Sequence, residues 1–210
     1  MMPTLLNLSL APVLANLWAL DKFVWADYRL AVLFTVVFPL ILLVWAFVQQ
    51  ASAIQLLLTI YWKVASLLMI TVYLMIGGFS FSFIAGLMAR ILIPISLWFW
   101  EDLNEEIREQ RQSALRFVFV AWRWAVTVYS AIGAIFVAFF LPCAFSGTRL
   151  AGTACQAWRQ PPLLYKEILH GSYTNGFLAF FGIVGLIIYL LVLGYFVFIR
   201  LGRQGRSAIS

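Results

Sequence analysis

The sequence predicts an all-α fold, a polytopic bundle of transmembrane helices, and three observations support this prediction. Of the 210 residues, 64% are hydrophobic and 10% are charged, and the mean hydropathy is +0.98. These values lie far outside the range of soluble domains. Five apolar runs are each long enough to cross a bilayer, which takes about 20 helical residues. Loops use most of the remaining chain, so we expect a single transmembrane domain over residues 1–210.

The five runs define the predicted spans in chain order. They cover residues 30–48, 54–76, 79–100, 115–141 and 177–199. Gly77 and Gly78 alone separate the second and third runs, and paired glycines permit the positive φ angles of a tight turn. We therefore predict an antiparallel hairpin there. Pro39 and Pro94 lie inside spans, where we predict kinks whose freed carbonyls are bound by neighbouring helices.

The segment of residues 3–20 is also apolar, but Asn7, Pro12 and Asn16 interrupt it. No basic residue precedes its apolar part, which is unlike a cleaved signal peptide. Trp18 lies at its end, and aromatic residues are enriched at membrane interfaces. We predict an N-terminal interfacial helix, with a sixth span as the alternative.

Positive charge near the span ends predicts the orientation, because cytoplasmic loops are enriched in Lys and Arg. Arginines follow the third and fifth spans, at positions 108, 111, 116, 200, 203 and 206. This places the C-terminus in the cytoplasm, the N-terminus on the lumenal or periplasmic side, and the loop of residues 142–176 outside the cytoplasm. Cys143 and Cys155 lie in that loop. We predict a disulfide between them, with two unpaired cysteines as the alternative.

Several functional classes are excluded by what the sequence lacks. His170 is the only histidine, so paired axial haem ligands and a four-ligand metal site are not available. No phosphate-binding glycine loop, nucleophile elbow or HExxH motif occurs. The net charge of +6 is scattered and forms no basic, aromatic-interleaved face for nucleic acid. We expect no enzymatic activity, no cofactor and no metal.

Lys63, Arg90 and Arg123 each lie inside an apolar run, and the five runs contain no carboxylate. A charge inside lipid needs a partner or a route to water, so such residues are candidates for a functional site. At 1.5 Å rise per residue, all three lie roughly 12 to 15 Å from the cytoplasmic ends of their spans. We therefore predict one cationic layer in the bundle.

An acidic loop follows the third span and contains Glu101, Asp102 and Glu105. We predict that it folds back over the cationic layer as a counter-ion lid. Three explanations for the cations remain open. The side chains snorkel to the headgroups, or they bind an anionic lipid or a carboxylate of a partner protein, or they line a path for anions.

Four stretches of the chain carry a resemblance to a known family. VWADYRLAVLFTVVFPLILLVWAF (24–47), YWKVASLLMITVYLMIGG (61–78), ARILIPISLWFWEDLNEEI (89–107) and AWRWAVTVYS (121–130) resemble an uncharacterised family of cyanobacterial integral membrane proteins. The resemblance implies a thylakoid or plasma membrane with photosynthetic or respiratory complexes as neighbours. It carries over no functional residues.

These observations together predict a non-enzymatic membrane protein. We expect an accessory or assembly subunit of a larger membrane complex, with Lys63, Arg90 and Arg123 binding an anionic lipid or a partner carboxylate. The bilayer, its anionic lipids and a second membrane protein are the expected partners. A small-anion or metabolite transporter is the alternative. Transporters often contain internal repeats, and we find none in the sequence.

Overall fold

A computed structural model describes residues 19–145 and 150–208, and within these ranges the chain is helical with no strand. The main helices are α1 (Ala19–Val48), α2 (Ser52–Ile76), α3 (Ser82–Trp98), α4 (Glu101–Glu109), α5 (Ala114–Ala138), α6 (Gln160–Leu169) and α7 (Asn175–Arg200). Single-turn helices at Pro142–Phe145 and Thr153–Ala157 lie between α5 and α6, and Leu201–Gln204 continues α7. The predicted all-α class is confirmed.

Four of these helices, α1, α2, α5 and α7, are long and apolar enough to cross a membrane, among the residues described. The third predicted span is shorter, because α3 ends at Trp98 and the chain bends by 55° into α4. Counted together, α3 and α4 make a fifth candidate span. The predicted interfacial segment of residues 3–20 lies outside the described part of the chain, except for its last two residues, which open α1.

Helix α1 is longer than the sequence predicted. Among the described residues it begins at Ala19 and not at residue 30, and its 30 residues correspond to about 45 Å. The apolar run of residues 30–48 is only the part of α1 whose side chains are almost all apolar. The helix continues past it, and therefore includes Asp21 and Asp27. The predicted first span contains no carboxylate, but the longer helix does, and Asp27 has a buried cationic partner in the bundle.

The long helices alternate in direction between two ends of the bundle. At one end, the Ser52 hydroxyl donates to Glu106 on α4 (3.3 Å), and the Glu101 N–H donates to the Arg206 carbonyl (3.2 Å). We call this end, formed by α4 and residues 201–208, the acidic end. Residues 139–145 and 150–174 form the opposite end, which we call the disulfide end.

The hairpin between α2 and α3 forms as predicted, and its turn is a Schellman motif. The Phe79 N–H donates to the Leu74 carbonyl and the Gly78 N–H to the Met75 carbonyl, each at 3.1 Å. This motif requires a left-handed residue after the helix, and Gly78 has φ +75°. Glycine adopts that conformation without the steric cost of a Cβ atom.

The chain around Pro39 shows how neighbouring helices replace the hydrogen bonds that a proline removes. Proline has no N–H, and α1 changes to π-helical bonding just before it, which leaves the Phe34 and Thr35 carbonyls without helical donors. The Trp122 indole N–H donates to the Phe34 carbonyl and the Tyr61 hydroxyl to the Thr35 carbonyl, both at 2.8 Å. As predicted, Pro39 lies inside a continuous helix, and neighbouring helices donate to the carbonyls beside it.

The disulfide end contains the predicted Cys143–Cys155 bond, with the two Cα atoms 6.0 Å apart. Both cysteines are buried and pack in one cluster with Val24 and Trp158. The next residue, Arg159, donates through Nε to the Met75 carbonyl at 3.1 Å, and so binds the C-terminal end of α2. A cation is favoured there because the last carbonyls of a helix carry partial negative charge.

Candidate functional site

The structure places the three predicted cations in three separate environments. Arg90 and Arg123 are buried, at 7% and 5% exposure, whereas Lys63 is exposed on the outer face of α2. Arg90 lies against Gly133 on α5, ten residues from Arg123, which is about 15 Å along that helix. The prediction of one cationic layer is therefore wrong.

Arg90 forms an ion pair with Asp27 of α1, and the Asp27 side chain is 13% exposed. Tyr129 of α5 completes the site. Its hydroxyl donates to Asp27 Oδ1 (3.0 Å) and accepts from Arg90 Nη1 (3.3 Å). Gly133 makes room for the guanidinium, since a methyl group there would overlap Nη1 of Arg90. The site joins α1, α3 and α5, and it engages Arg90 inside the protein.

Arg123 lies at the bend between α3 and α4, and no carboxylate of the described residues forms an ion pair with it. Its guanidinium stacks 3.6 Å from the centre of the Trp98 ring and donates to Asn104 Oδ1 at 2.6 Å. Asn104 also donates through Nδ2 to the Trp98 carbonyl at 3.1 Å. Arg123 thus lies beside the C-terminal end of α3, where the helix dipole favours positive charge. Its Nε has no hydrogen-bond partner among the described residues.

Helix direction explains why the cations separate. In an α-helix the Cα–Cβ bonds tilt toward the N-terminus. Because α3 begins at the disulfide end, Arg90 leans toward that end and meets Asp27. Helices α2 and α5 begin at the acidic end, so Lys63 and Arg123 lean the other way. Equal distance from a span end therefore does not place two side chains at equal depth.

The predicted counter-ion lid exists as helix α4, but its carboxylates bind other groups. Glu101 pairs with Arg206, and Asp102 Oδ2 accepts from the backbone N–H of Ala208 at 2.7 Å. Glu105 lies 3.8 Å from Arg108 in an exposed pair on the same helix. The lid prediction is wrong for Glu101, Asp102 and Glu105. The amphipathic α4 buries its apolar side chains against the bundle and directs most of its carboxylates outward or to the C-terminal segment.

Lys63 lies at the middle of α2, on a face that points away from the bundle. Ser52, Thr59 and Ser66 are exposed on the same face, at helical spacings of three, four and seven residues. The Thr59 and Ser66 hydroxyls donate to carbonyls of their own helix. No carboxylate of the described residues forms an ion pair with Lys63.

Three residues of these sites are not among those that the sequence singles out. Asp27 lies just outside the predicted first span, which starts at residue 30, in the stretch VWADYR that directly precedes that span. Asn104 and Tyr129 are uncharged, and nothing in their local sequence distinguishes them from other polar residues. The tilt of side chains toward helix N-termini is the one local signal that separates Arg90 from Arg123. No group of three or more metal-ligating side chains occurs among the described residues.

Several apolar helices of membrane length, with the Arg90–Asp27 ion pair buried between them, define the class: this is a helical, multi-span integral membrane protein. The chain belongs to the DUF3177 family, which is described as a protein of unknown function, and the match covers residues 21–209. That range includes all four stretches on which the sequence resemblance rests. No curated protein and no solved structure matches the chain.

Proposed function

We propose that the protein is a non-enzymatic accessory or assembly subunit of a larger membrane complex, and that Lys63 holds an anionic group of a neighbouring molecule. The single observation that carries this proposal is the position of Lys63. It is the central cation of a 25-residue membrane helix, it faces outward, and it has no acidic partner in the described chain.

The depth of Lys63 in the membrane carries a free-energy cost when the subunit is isolated. Lys63 lies eleven residues from Ser52, about 16 Å along the axis of α2. A lysine stem that leans toward the acidic end recovers roughly 6 Å of this by snorkelling. A lysine at a helix centre costs about 2.5 to 3.5 kcal/mol on the translocon insertion scale. An anionic group beside Lys63 removes most of this cost.

Arg90 and Arg123 support the same conclusion indirectly. Both bind groups of this chain: Arg90 binds Asp27 and Tyr129, and Arg123 stacks on Trp98 and donates to Asn104, with its Nε left without a partner among the described residues. Their role in this proposal is to fix the bundle that presents Lys63. They are not offered as binding groups for an outside ligand.

The transporter alternative has less support in the described residues. A cavity between α2, α3 and α7, of about 230 Å³, is lined by Tyr189 and by apolar residues such as Leu67, Ile84 and Leu186. A water-filled path for an anion needs polar or charged lining. The alternative is tested by anion flux in liposomes.

The finer location is part of this proposal, and it rests on the sequence resemblance and on the distribution of Lys and Arg. We place the protein in a cyanobacterial thylakoid or plasma membrane, as part of a photosynthetic or respiratory complex, with the acidic end in the cytoplasm and the disulfide end outside it. The buried Cys143–Cys155 disulfide supports this orientation, because disulfides persist in oxidising compartments.

Purification of the full chain from its native membrane in a mild detergent tests the proposal. We expect one or more defined membrane proteins in constant ratio to this chain through two successive purification steps, with identities established by mass spectrometry. The Lys63→Met variant should insert normally and lose this association. A chain that migrates alone in native gels at every detergent concentration contradicts the proposal and gives weight to transport.

A further inference from the structure

The residues on the face of α2 that carries Lys63 indicate what kind of molecule binds to this face. Resting on the proposed function, we propose that a transmembrane helix of a different protein packs along the Ser52, Thr59, Lys63 and Ser66 face and places an Asp or Glu side chain beside Lys63.

The depth of Lys63 favours a carboxylate on a helix over a lipid headgroup. Headgroups lie at the surface of a hydrocarbon core about 30 Å thick, roughly 15 Å from its centre. The Lys63 amine, even with its stem extended toward the acidic end, remains about 10 Å short of the level of Ser52. A side chain on a spanning helix reaches this depth directly.

The composition of the same face fits a packed helix. Ser52, Thr59 and Ser66 are small side chains that let another backbone approach closely, and small residues are enriched at helix interfaces in membranes. Because the Thr59 and Ser66 hydroxyls already donate to their own helix, at 2.8 and 2.7 Å, the lysine is left as the group that needs a partner.

A second copy of this chain cannot supply that partner. The chain has eight Asp and Glu residues. Five lie on α4 at the acidic end, and Glu167 lies on α6 at the disulfide end. Asp21 and Asp27 lie on α1, with Asp27 engaged by Arg90 and about 15 Å nearer the disulfide end than Lys63. The carboxylate must therefore come from another protein.

A membrane-permeant carbodiimide tests this contact in the intact membrane. The reagent joins a lysine amine to a carboxylate that touches it, and takes up the released water as a urea. We expect an amide link between Lys63 and an Asp or Glu in an apolar segment of a different protein, found by mass spectrometry of the purified chain. Lys63→Arg is the matched control, since it keeps the charge but forms no such link.

Retention of the partner provides the second readout. We expect Lys63→Met to lower the amount of co-purified partner at least tenfold, and Lys63→Arg to retain most of it, because a guanidinium also pairs with carboxylate. Replacement of Ile132, which is 64% exposed on α5, by methionine should leave the amount unchanged. A link from Lys63 to Glu106 of the same or a second chain overturns the inference. So does an anionic lipid that co-purifies in constant ratio with the native chain and is lost from Lys63→Met.

These experiments also distinguish failure of this inference from failure of the proposed function. A partner that co-purifies equally with the native chain and Lys63→Met, and forms no link to Lys63, refutes the inference and leaves the subunit role standing. Absence of any defined partner from the native chain refutes both.

Discussion

Substitution of either Asp27 or Arg90 should strongly lower the free energy of unfolding of this bundle. The size of the loss should depend on which of the two residues is replaced. Removal of one member of a buried ion pair typically costs about 3 to 5 kcal/mol, because the other charge is left without compensation. Replacement of both by apolar groups is often near neutral. The Asp27 side chain is 13% exposed and that of Arg90 is 8% exposed, so solvent screens the pair little.

The two single variants should differ. In Asp27→Leu the Arg90 guanidinium keeps its charge in an apolar site, and we expect the free energy of unfolding to fall by about 4 kcal/mol. In Arg90→Met the Asp27 carboxylate keeps the hydrogen bond from the Tyr129 hydroxyl, so we expect a smaller loss of about 2 kcal/mol. Tyr129 keeps a partner in every variant, because its hydroxyl also donates to the Asp27 backbone carbonyl at 3.0 Å.

The assay is the free energy of unfolding in mixed micelles, from titration with a denaturing detergent and tryptophan fluorescence. The double variant should lose no more than about 1 kcal/mol, which gives a coupling energy of several kcal/mol. Glu105→Leu, which breaks the exposed pair with Arg108, is the control and should change stability by less than about 0.5 kcal/mol. Additive single losses, or an Asp27→Leu cost below about 1 kcal/mol, would refute this reasoning.

Three further predictions follow from single contacts. Gly133→Ala should lower stability by about 1 to 3 kcal/mol through overlap with the Arg90 guanidinium, whereas Gly194→Ala, which meets open space, should raise it by up to about 1 kcal/mol in the same micelle titration. Tyr61→Phe should cost about 1 to 3 kcal/mol, because it leaves the carbonyl freed by the proline of α1 without a donor; an unchanged titration midpoint would contradict this. Loss of the Cys143–Cys155 bond should lower the free energy of unfolding by about 3 kcal/mol, measured as a lower melting temperature after reduction. A variant with alanine at both positions should melt at the lower temperature with or without reductant. A response of that variant to reductant would show that another group is involved.

Much of the fold follows from local sequence. Apolar runs longer than the bilayer is thick have few alternatives to spanning helices, because no backbone polar group can be left unpaired in lipid. Gly78, between two such runs, determines the hairpin, since glycine readily adopts the left-handed conformation that the Schellman turn requires. The loss of a helical hydrogen bond at Pro39 is equally local, because the missing N–H is a property of the residue itself.

The tertiary structure alone decided what each charged side chain meets. Asp27, Arg90 and Tyr129 come from three helices, and only the packing of those helices brings them together. The separation of Arg90 from Arg123 depends on helix direction and on the bend that places Asn104 beside Arg123. Local sequence determines where a charged residue lies along its own membrane-spanning helix. Its ion-pair partner is on a different helix, so that partner is determined only by how the helices pack.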